Sequence, residues 1–294
     1  MFALTLLTQE NAIKIVKILM EETSDKTQET LNAMFIDSIK SNHHLEVVKL
    51  LLKDSRVDPG TKDNFAIKHA CENSYLEIVK LLLADSRVNP GANDNYAIRY
   101  ASGHGHLEVV KLLLADSRVD PSANDNYAIR YASDHGHLEV VKLLLADSRV
   151  DPCTCMESAI GYASKNGHLE VVKLLLQDGR VNPSGDDNFA IRHAMINNHL
   201  EIVKLLIPKI DLSKITDNKI LDIAKTIANE HVEEIVKVEN KIIPNEHTEE
   251  TAKVENKNKT KEEILNEIIS LTNDYNTLNN NINGTSKITL KITF

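Results

Sequence analysis

The chain has 294 residues, 42% of them hydrophobic but only 4% aromatic and none Trp, a mix that suits a core of Leu, Val, Ile and Ala at helical spacing better than a β-sandwich. A formal charge of −9 and a pI near 5.7 argue against a nucleic-acid backbone as the main ligand, because that needs a basic face. No run approaches the roughly 18 apolar residues of a membrane span, the start lacks the basic stretch of a signal peptide, and three Cys do not make an even disulfide set. The expected setting is therefore intracellular and cytoplasmic, with no membrane and no nucleic-acid partner.

Along the chain, the first periodic run is Ala12-Ile13-Lys14-Ile15-Val16-Lys17-Ile18-Leu19-Met20, a helix pattern that returns better formed further on. The string LEVVKLLL starts at Leu45, Leu107, Leu138 and Leu169, with LEIVKLLL at Leu76 and LEIVKLLI at Leu200, six starts each 31 residues apart. Self-similarity at a fixed period of this size marks a repeat architecture. The unit Asp94–Asn124 shows its parts. Asp94 stands where an N-cap is expected, as do Asp63, Asp125 and Asp187. A short first helix follows through Tyr96-Ala97-Ile98-Arg99-Tyr100-Ala101, with Ile98 and Ala101 on one face. Gly105 takes the left-handed position after it. A second helix over Leu107–Leu114 buries Leu107, Val110, Leu113 and Leu114 and turns Glu108 and Lys111 to water. Asp116-Ser117-Arg118-Val119-Asp120-Pro121 closes the unit, since Pro121 cannot continue a helix. No unit can bury its apolar face alone, whereas a stack of units can.

These residues carry a family resemblance. Gly105-His106-Leu107-Glu108-Val109-Val110-Lys111-Leu112-Leu113-Leu114 resembles the second-helix signature of ankyrin repeats, and Ile98, Ala101 and Ser102 fall where that family has Leu, Ala and Ala. The resemblance covers roughly residues 30 to 213 and implies an all-α, ankyrin-type solenoid of stacked helix-turn-helix units. Two departures matter. The family's Thr-Pro-Leu-His start is replaced by Tyr96-Ala97-Ile98-Arg99, so its Thr/His hydrogen bonds do not carry over. The unit is also 31 residues long against the family's usual 33, and the missing pair lies between second helix and next first helix, which implies shortened finger loops. With its DSRVDP and DNYAIRYA strings the chain resembles ankyrin proteins carried by large DNA viruses of protists; a viral origin would place it in host cytoplasm.

Residues 1–30 are read as a divergent N-terminal cap, 31–213 as six repeats, and 214–243 as a degenerate C-terminal capping repeat, because an array must end on a polar face. Residues 244–263 are charged and poor in large apolar side chains, the composition of a disordered linker. In the tail, 264–294, Ile264, Ile268, Leu271, Tyr275, Leu278 and Ile282 form a short heptad seam through which an oligomer is conceivable. Beyond it, Ile288, Leu290, Ile292 and Phe294 alternate as in a strand.

Candidate chemistry is weighed against the repeat. Cys153-Thr154-Cys155 suggests a metal pair, but zinc needs about four ligands and no second Cys pair exists; the expectation is a reduced loop pair, and for Cys71 a small semi-buried filler. His106, His137, His168 and His199 fill the slot before the second helix to which the ankyrin resemblance gives a structural role, and His104 and His135 are additional; stacked units would hold these two about 10 Å apart, too far to share a metal. The column Phe65, Tyr96, Tyr127 and Phe189 is expected to pack between successive first helices rather than to stack on bases. The pairs Asp85/Arg87, Asp116/Arg118, Asp147/Arg149 and Asp178/Arg180 recur once per unit, which marks scaffold, since a catalytic site would be unique. No catalytic set and no cofactor site emerges.

The resemblance implies a protein-binding module whose concave face, built from fingers and exposed first-helix ends, grips a partner protein. Carried over by position, the exposed slots are Glu72 and Asn73, Gly103 and His104, Asp134 and His135, Lys165 and Asn166, Ile196 and Asn197. These are the slots where the units disagree most. The alternatives are a structural protein assembling through 264–282, and an adaptor of the ubiquitin-ligase type, although no F-box-like pattern is identifiable between Pro244 and Phe294.

Overall fold

The structure, a computed structural model, describes residues 8–21, 25–40, 44–153, 158–210, 220–223 and 226. The linker and the heptad tail of the sequence reading lie outside the described residues. Helix α1 (Gln9–Glu21) precedes six helix pairs: α2 (Asp25–Ile39) with α3 (Leu45–Leu52), α4 (Thr61–Glu72) with α5 (Leu76–Ala84), α6 (Ala92–Gly103) with α7 (Leu107–Ala115), α8 (Ala123–Asp134) with α9 (Leu138–Leu145), α10 (Ala159–Lys165) with α11 (Leu169–Gln177), and α12 (Gly185–Ile196) with α13 (Leu200–Leu206). A 3-10 turn, Ile207–Lys209, follows. Among the described residues there are no strands, so the expected finger loops are short turns.

Each pair packs on the next. The first helices contact one another far more extensively than the second helices do. The core alternates the two rows: Ala97, Ile98 and Ala101 from α6 and Val109, Val110 and Leu113 from α7 are all fully buried, and the same slots are buried in the neighbouring units. Each large apolar side chain so buried contributes about 1.5–3 kcal/mol, and the core is continuous because every unit lends its face to the next. Leu107 and Leu114, expected to be buried, are only half-buried, since they stand at the flanks of the helix stripe. Helix α1 packs on α3, and its Ala12 and Val16 are buried.

Two local devices recur at the described turns. After α6, Gly105 has φ +73°, His106 N donates to Ala101 O at 2.9 Å and Gly105 N to Ser102 O at 3.1 Å, the paired hydrogen bonds of a Schellman cap. Its Cα lies against the His137 ring of the next unit, so a side chain there would collide as well as strain the backbone. The second device corrects the sequence reading. Asp94 is not an N-cap: Asn93, Asp94 and Asn95 all have φ between 52° and 58°, a left-handed turn that the right-handed part of α6 follows from Tyr96. Asp63, Asp125 and Asp187 sit in the same turn. Asn and Asp are the non-glycine residues that best tolerate this region. Asn95 N donates to Gly91 O at 3.0 Å, and Asn95 Oδ1 accepts from Asp120 N of the next unit at 2.7 Å. The motif therefore doubles as a link between units, repeated by Asn64 to Asn89 N and Asn126 to Asp151 N.

Candidate partner-binding face

The recurrent charged pair is scaffold, as its recurrence implied, and the structure shows how. Arg118 grips Asp116 with Nε and Nη2 at 2.9 and 2.6 Å. It also donates to Val88 O at 3.0 Å and Leu83 O at 2.7 Å, carbonyls at the end of the preceding second helix and loop. Arg87, Arg149 and Arg180 repeat this on Val57 and Leu52, Val119 and Leu114, and Val150 and Leu145. Each guanidinium thus caps the orphan carbonyls of the previous unit's second helix. The Arg118 hydrogen bond is the main reason the Asp116 carboxyl is held below the ordinary carboxylate range.

The histidines divide as expected. His106, His137, His168 and His199 donate Nε2–H to Glu72 O, Gly103 O, Asp134 O and Lys165 O, at 2.8, 2.9, 2.9 and 3.1 Å, each tying a second-helix start to the preceding first helix. His104 and His135 are exposed and turn Nδ1 back onto Tyr100 O and Tyr131 O, at 2.8 and 3.0 Å. A carbonyl only accepts, so Nδ1 carries the proton in both. The Tyr131 ring stands between them, 6.3 Å from His104 and 4.5 Å from His135. Among the described residues no cluster of His, Cys, Asp and Glu could hold a metal. Cys153 Sγ accepts from Asn182 N at 3.2 Å, and Cys155 lies outside the described residues. Cys71 is fully rather than partly buried, and burial pushes its thiol well above the ordinary range.

The aromatic column packs between successive first helices as expected, Tyr96 against Glu72 and Lys68 and Phe189 against Gly161, and its rings also stack within their own helices. Phe65, Tyr96 and Phe189 stack on the ring four positions on in their own helix, namely His69 at 5.1 Å, Tyr100 at 3.9 Å and His193 at 3.7 Å. All three are half-buried. The ring contact between units runs instead through Tyr100 and Tyr131, 5.8 Å apart and at 82°, two residues the sequence reading did not single out. Gly103 explains their meeting. It is buried, not an exposed slot, because Tyr131 lies on it; a Cβ there would overlap the Tyr131 ring. The same slot in the next unit is Asp134, and the contrast between these two near-identical units is the available sequence signal.

The remaining predicted residues lie along the same row of first-helix ends. Glu72 is half-buried and its Oε2 accepts from Tyr96 OH at 3.4 Å. Asp134 accepts from Asn166 Nδ2 at 2.6 Å and sits 3.6 Å from His135 Nδ1, which brings Asp134, His135 and Asn166 into one polar group. Lys165 stands over the Tyr162 ring at 5.9 Å. Asn197 donates to Lys165 O and His193 O, both at 3.0 Å. Asn73 only closes its own helix, donating to His69 O at 2.9 Å, and Ile196 is 74% exposed. The opposite face is uniform. Lys49, Lys80, Lys111, Lys173 and Lys204 each pair with the Glu three residues earlier in the same second helix.

Among known families, the model for ankyrin repeats (3 copies) matches three overlapping stretches, residues 35–125, 67–155 and 129–219. A comparison with curated proteins gives no match. No helix among the described residues is long and apolar enough to cross a membrane.

Proposed function

The chain belongs to the ankyrin-repeat family, whose repeats are generally protein–protein interaction modules and typically non-enzymatic, and on that premise we propose that it is a scaffold gripping a partner protein with its inner, first-helix face. One observation carries the reading: the two faces differ in what they leave available. On the second helices the same Lys recurs in every unit, and all but Lys142 pair with a Glu of their own helix, so that face offers little to specify a partner. Exposed pairs of this kind contribute only a few tenths of a kcal/mol each. The first-helix ends change from Glu72/Asn73 through His104 and Asp134/His135 to Lys165/Asn166, and they hold rings, carboxylates and amides side by side. Binding energy concentrates in a few central, aromatic-rich positions, and the central units supply them here.

The test is a comparison of faces. With a partner in hand, Ala at His104, Asp134, His135 and Lys165 together weakens binding at least about tenfold, or 1.4 kcal/mol, with the melting temperature held. Ala at Lys111, Lys142 and Lys173 leaves affinity unchanged. The reverse ranking would transfer the site to the second-helix face.

A further inference from the structure

We propose that the corner between Tyr100 and Tyr131 is a receptor for a single cationic side chain, Lys or Arg, presented by an exposed basic segment of the partner; this rests on the first-helix face being the binding face. The corner has two aromatic walls. Tyr96, Tyr100 and His104 line up along α6 with nearly parallel rings, 15° between the first pair and 24° between the second. Tyr131, seated on Gly103, stands across them at 82°. Both tyrosines are half-buried, so each keeps some surface toward solvent.

Two carboxylates bound the corner. Glu72 arrives from the unit before and Asp134 from the unit of Tyr131 itself. Both act on the Tyr131 hydroxyl, whose titration is pushed up chiefly by burial and further by the neighbouring tyrosines and these two acids. Tyr96, beside Glu72, is pushed up to about 12, again by burial first and Glu72 second. Neither carboxylate has a Lys or Arg partner among the described residues: Glu72 accepts from Tyr96 OH, and Asp134 from Asn166, with His135 beside it. A negative field at tyrosine rings favours a cation on the ring faces.

The chain's own cations show the preference and also single out the corner. Lys68 stands over Tyr96 at 5.7 Å, Arg99 and Arg130 both over Tyr127 at 5.3 Å, and Lys165 over Tyr162 at 5.9 Å. Among the described residues no Lys or Arg stands over Tyr100 or Tyr131. The opposite charge chemistry fits worse here, because an anionic side chain in the corner would meet Glu72, Asp134 and two ring faces. Gly103 makes the arrangement particular to this junction. At the next junction Asp134 holds that slot and engages Asn166.

The experiment is fluorescence anisotropy on the full chain with three labelled peptides of equal length, alternating Gly with Arg, with Lys or with Glu. The expected result is saturable binding of the Arg or Lys peptide and none of the Glu peptide, with the stronger of the first two naming the cation. Tyr100→Leu and Tyr131→Leu, which keep apolar bulk, weaken that binding about fivefold each. Glu72→Gln weakens it about threefold, whereas Glu108→Gln, the same charge change on the second-helix face, leaves it unchanged. Thermal melts of each variant confirm folding, and the near-isosteric Glu72→Gln keeps the test decisive should a Tyr variant not fold. Absence of basic-peptide binding, or equal binding of the Glu peptide, overturns the cation receptor while leaving the face comparison above standing. Equal loss from Glu108→Gln and Glu72→Gln overturns it too, and counts against the first-helix face as well.

Discussion

Replacing Arg118 by Met removes the stitch between two units while keeping side-chain length. The guanidinium makes two hydrogen bonds to Asp116, two to the carbonyls of Val88 and Leu83 and a long one, 3.5 Å, to Asp85 O that is left out of the sum. The Asp116 side chain is 14% exposed and that of Arg118 34%, so the full figure for a buried charged hydrogen bond does not apply. Counting about 1 kcal/mol for each inter-unit carbonyl and about 1 kcal/mol for the screened local pair gives a loss near 3 kcal/mol. About 2 kcal/mol of that falls on the junction itself, a factor of roughly 30 in the coupling of the two halves. Because a solenoid is held by nearest-neighbour terms, urea unfolding followed by far-UV circular dichroism shifts to lower denaturant and broadens or splits. Lys111→Met, which breaks an exposed pair within one helix, shifts the curve by no more than about 0.5 kcal/mol. The acid limb gives a second reading. Asp116 is held low by Arg118, so the pair stabilises above the unfolded carboxyl value near pH 4 and its contribution is lost as pH falls through the depressed folded value. The variant therefore loses less stability than the parent on acidification. A sharp, unbroadened transition moved no further than that of Lys111→Met would refute the capping role of the guanidinium.

Three other outcomes follow from the same geometry. Ser102, Ser133 and Ser164 are fully buried with Oγ unpartnered, so Ser133→Ala raises stability by about 1 kcal/mol, measured as a higher melting temperature; a loss of stability would mean the hydroxyl is satisfied in solution. Gly103→Ala displaces the Tyr131 ring, costs about 1–3 kcal/mol and shifts the NMR signals of Tyr100 and His135 together, whereas unmoved ring signals would show that Tyr131 does not rest on this residue. His137 is lowered first by burial and then by the charges of neighbouring histidines. The folded state therefore binds fewer protons than the unfolded one near its ordinary value of about 6.5, and stability is full above that pH and declines below it. Melts between pH 8 and 5.5 show this decline, and an equal decline in His137→Gln would assign it elsewhere.

What the sequence determined by itself was the apolar stripe that every unit buries. A fixed 31-residue spacing is legible because each unit must bury the same stripe, so Ile98, Ala101, Val110 and Leu113 declare the stack without any coordinates. The left-handed slot of Gly105 and the scaffold status of the Asp/Arg pairs were legible too, and the ankyrin resemblance implied the structural role of His106 and its counterparts. Reading failed where a side chain's meaning depends on a neighbour about thirty residues away. Asp94 resembles an N-cap by local rule, but the left-handed turn it occupies is held by Asn95 reaching Asp120 of the next unit, a contact no local pattern encodes. Tyr96 was expected to pack across units, and it does reach Glu72 and Lys68 of the unit before, but its ring partner is Tyr100 on the same helix, because half-exposed rings at i and i+4 find each other first. Gly103 passed for an exposed slot, and only the stack shows that its missing side chain makes room for Tyr131. Periodicity fixes which residues face inward, since burial is common to all units. The surface between units is set by single differences such as Gly103 against Asp134, and their consequences exist only once the helices are side by side.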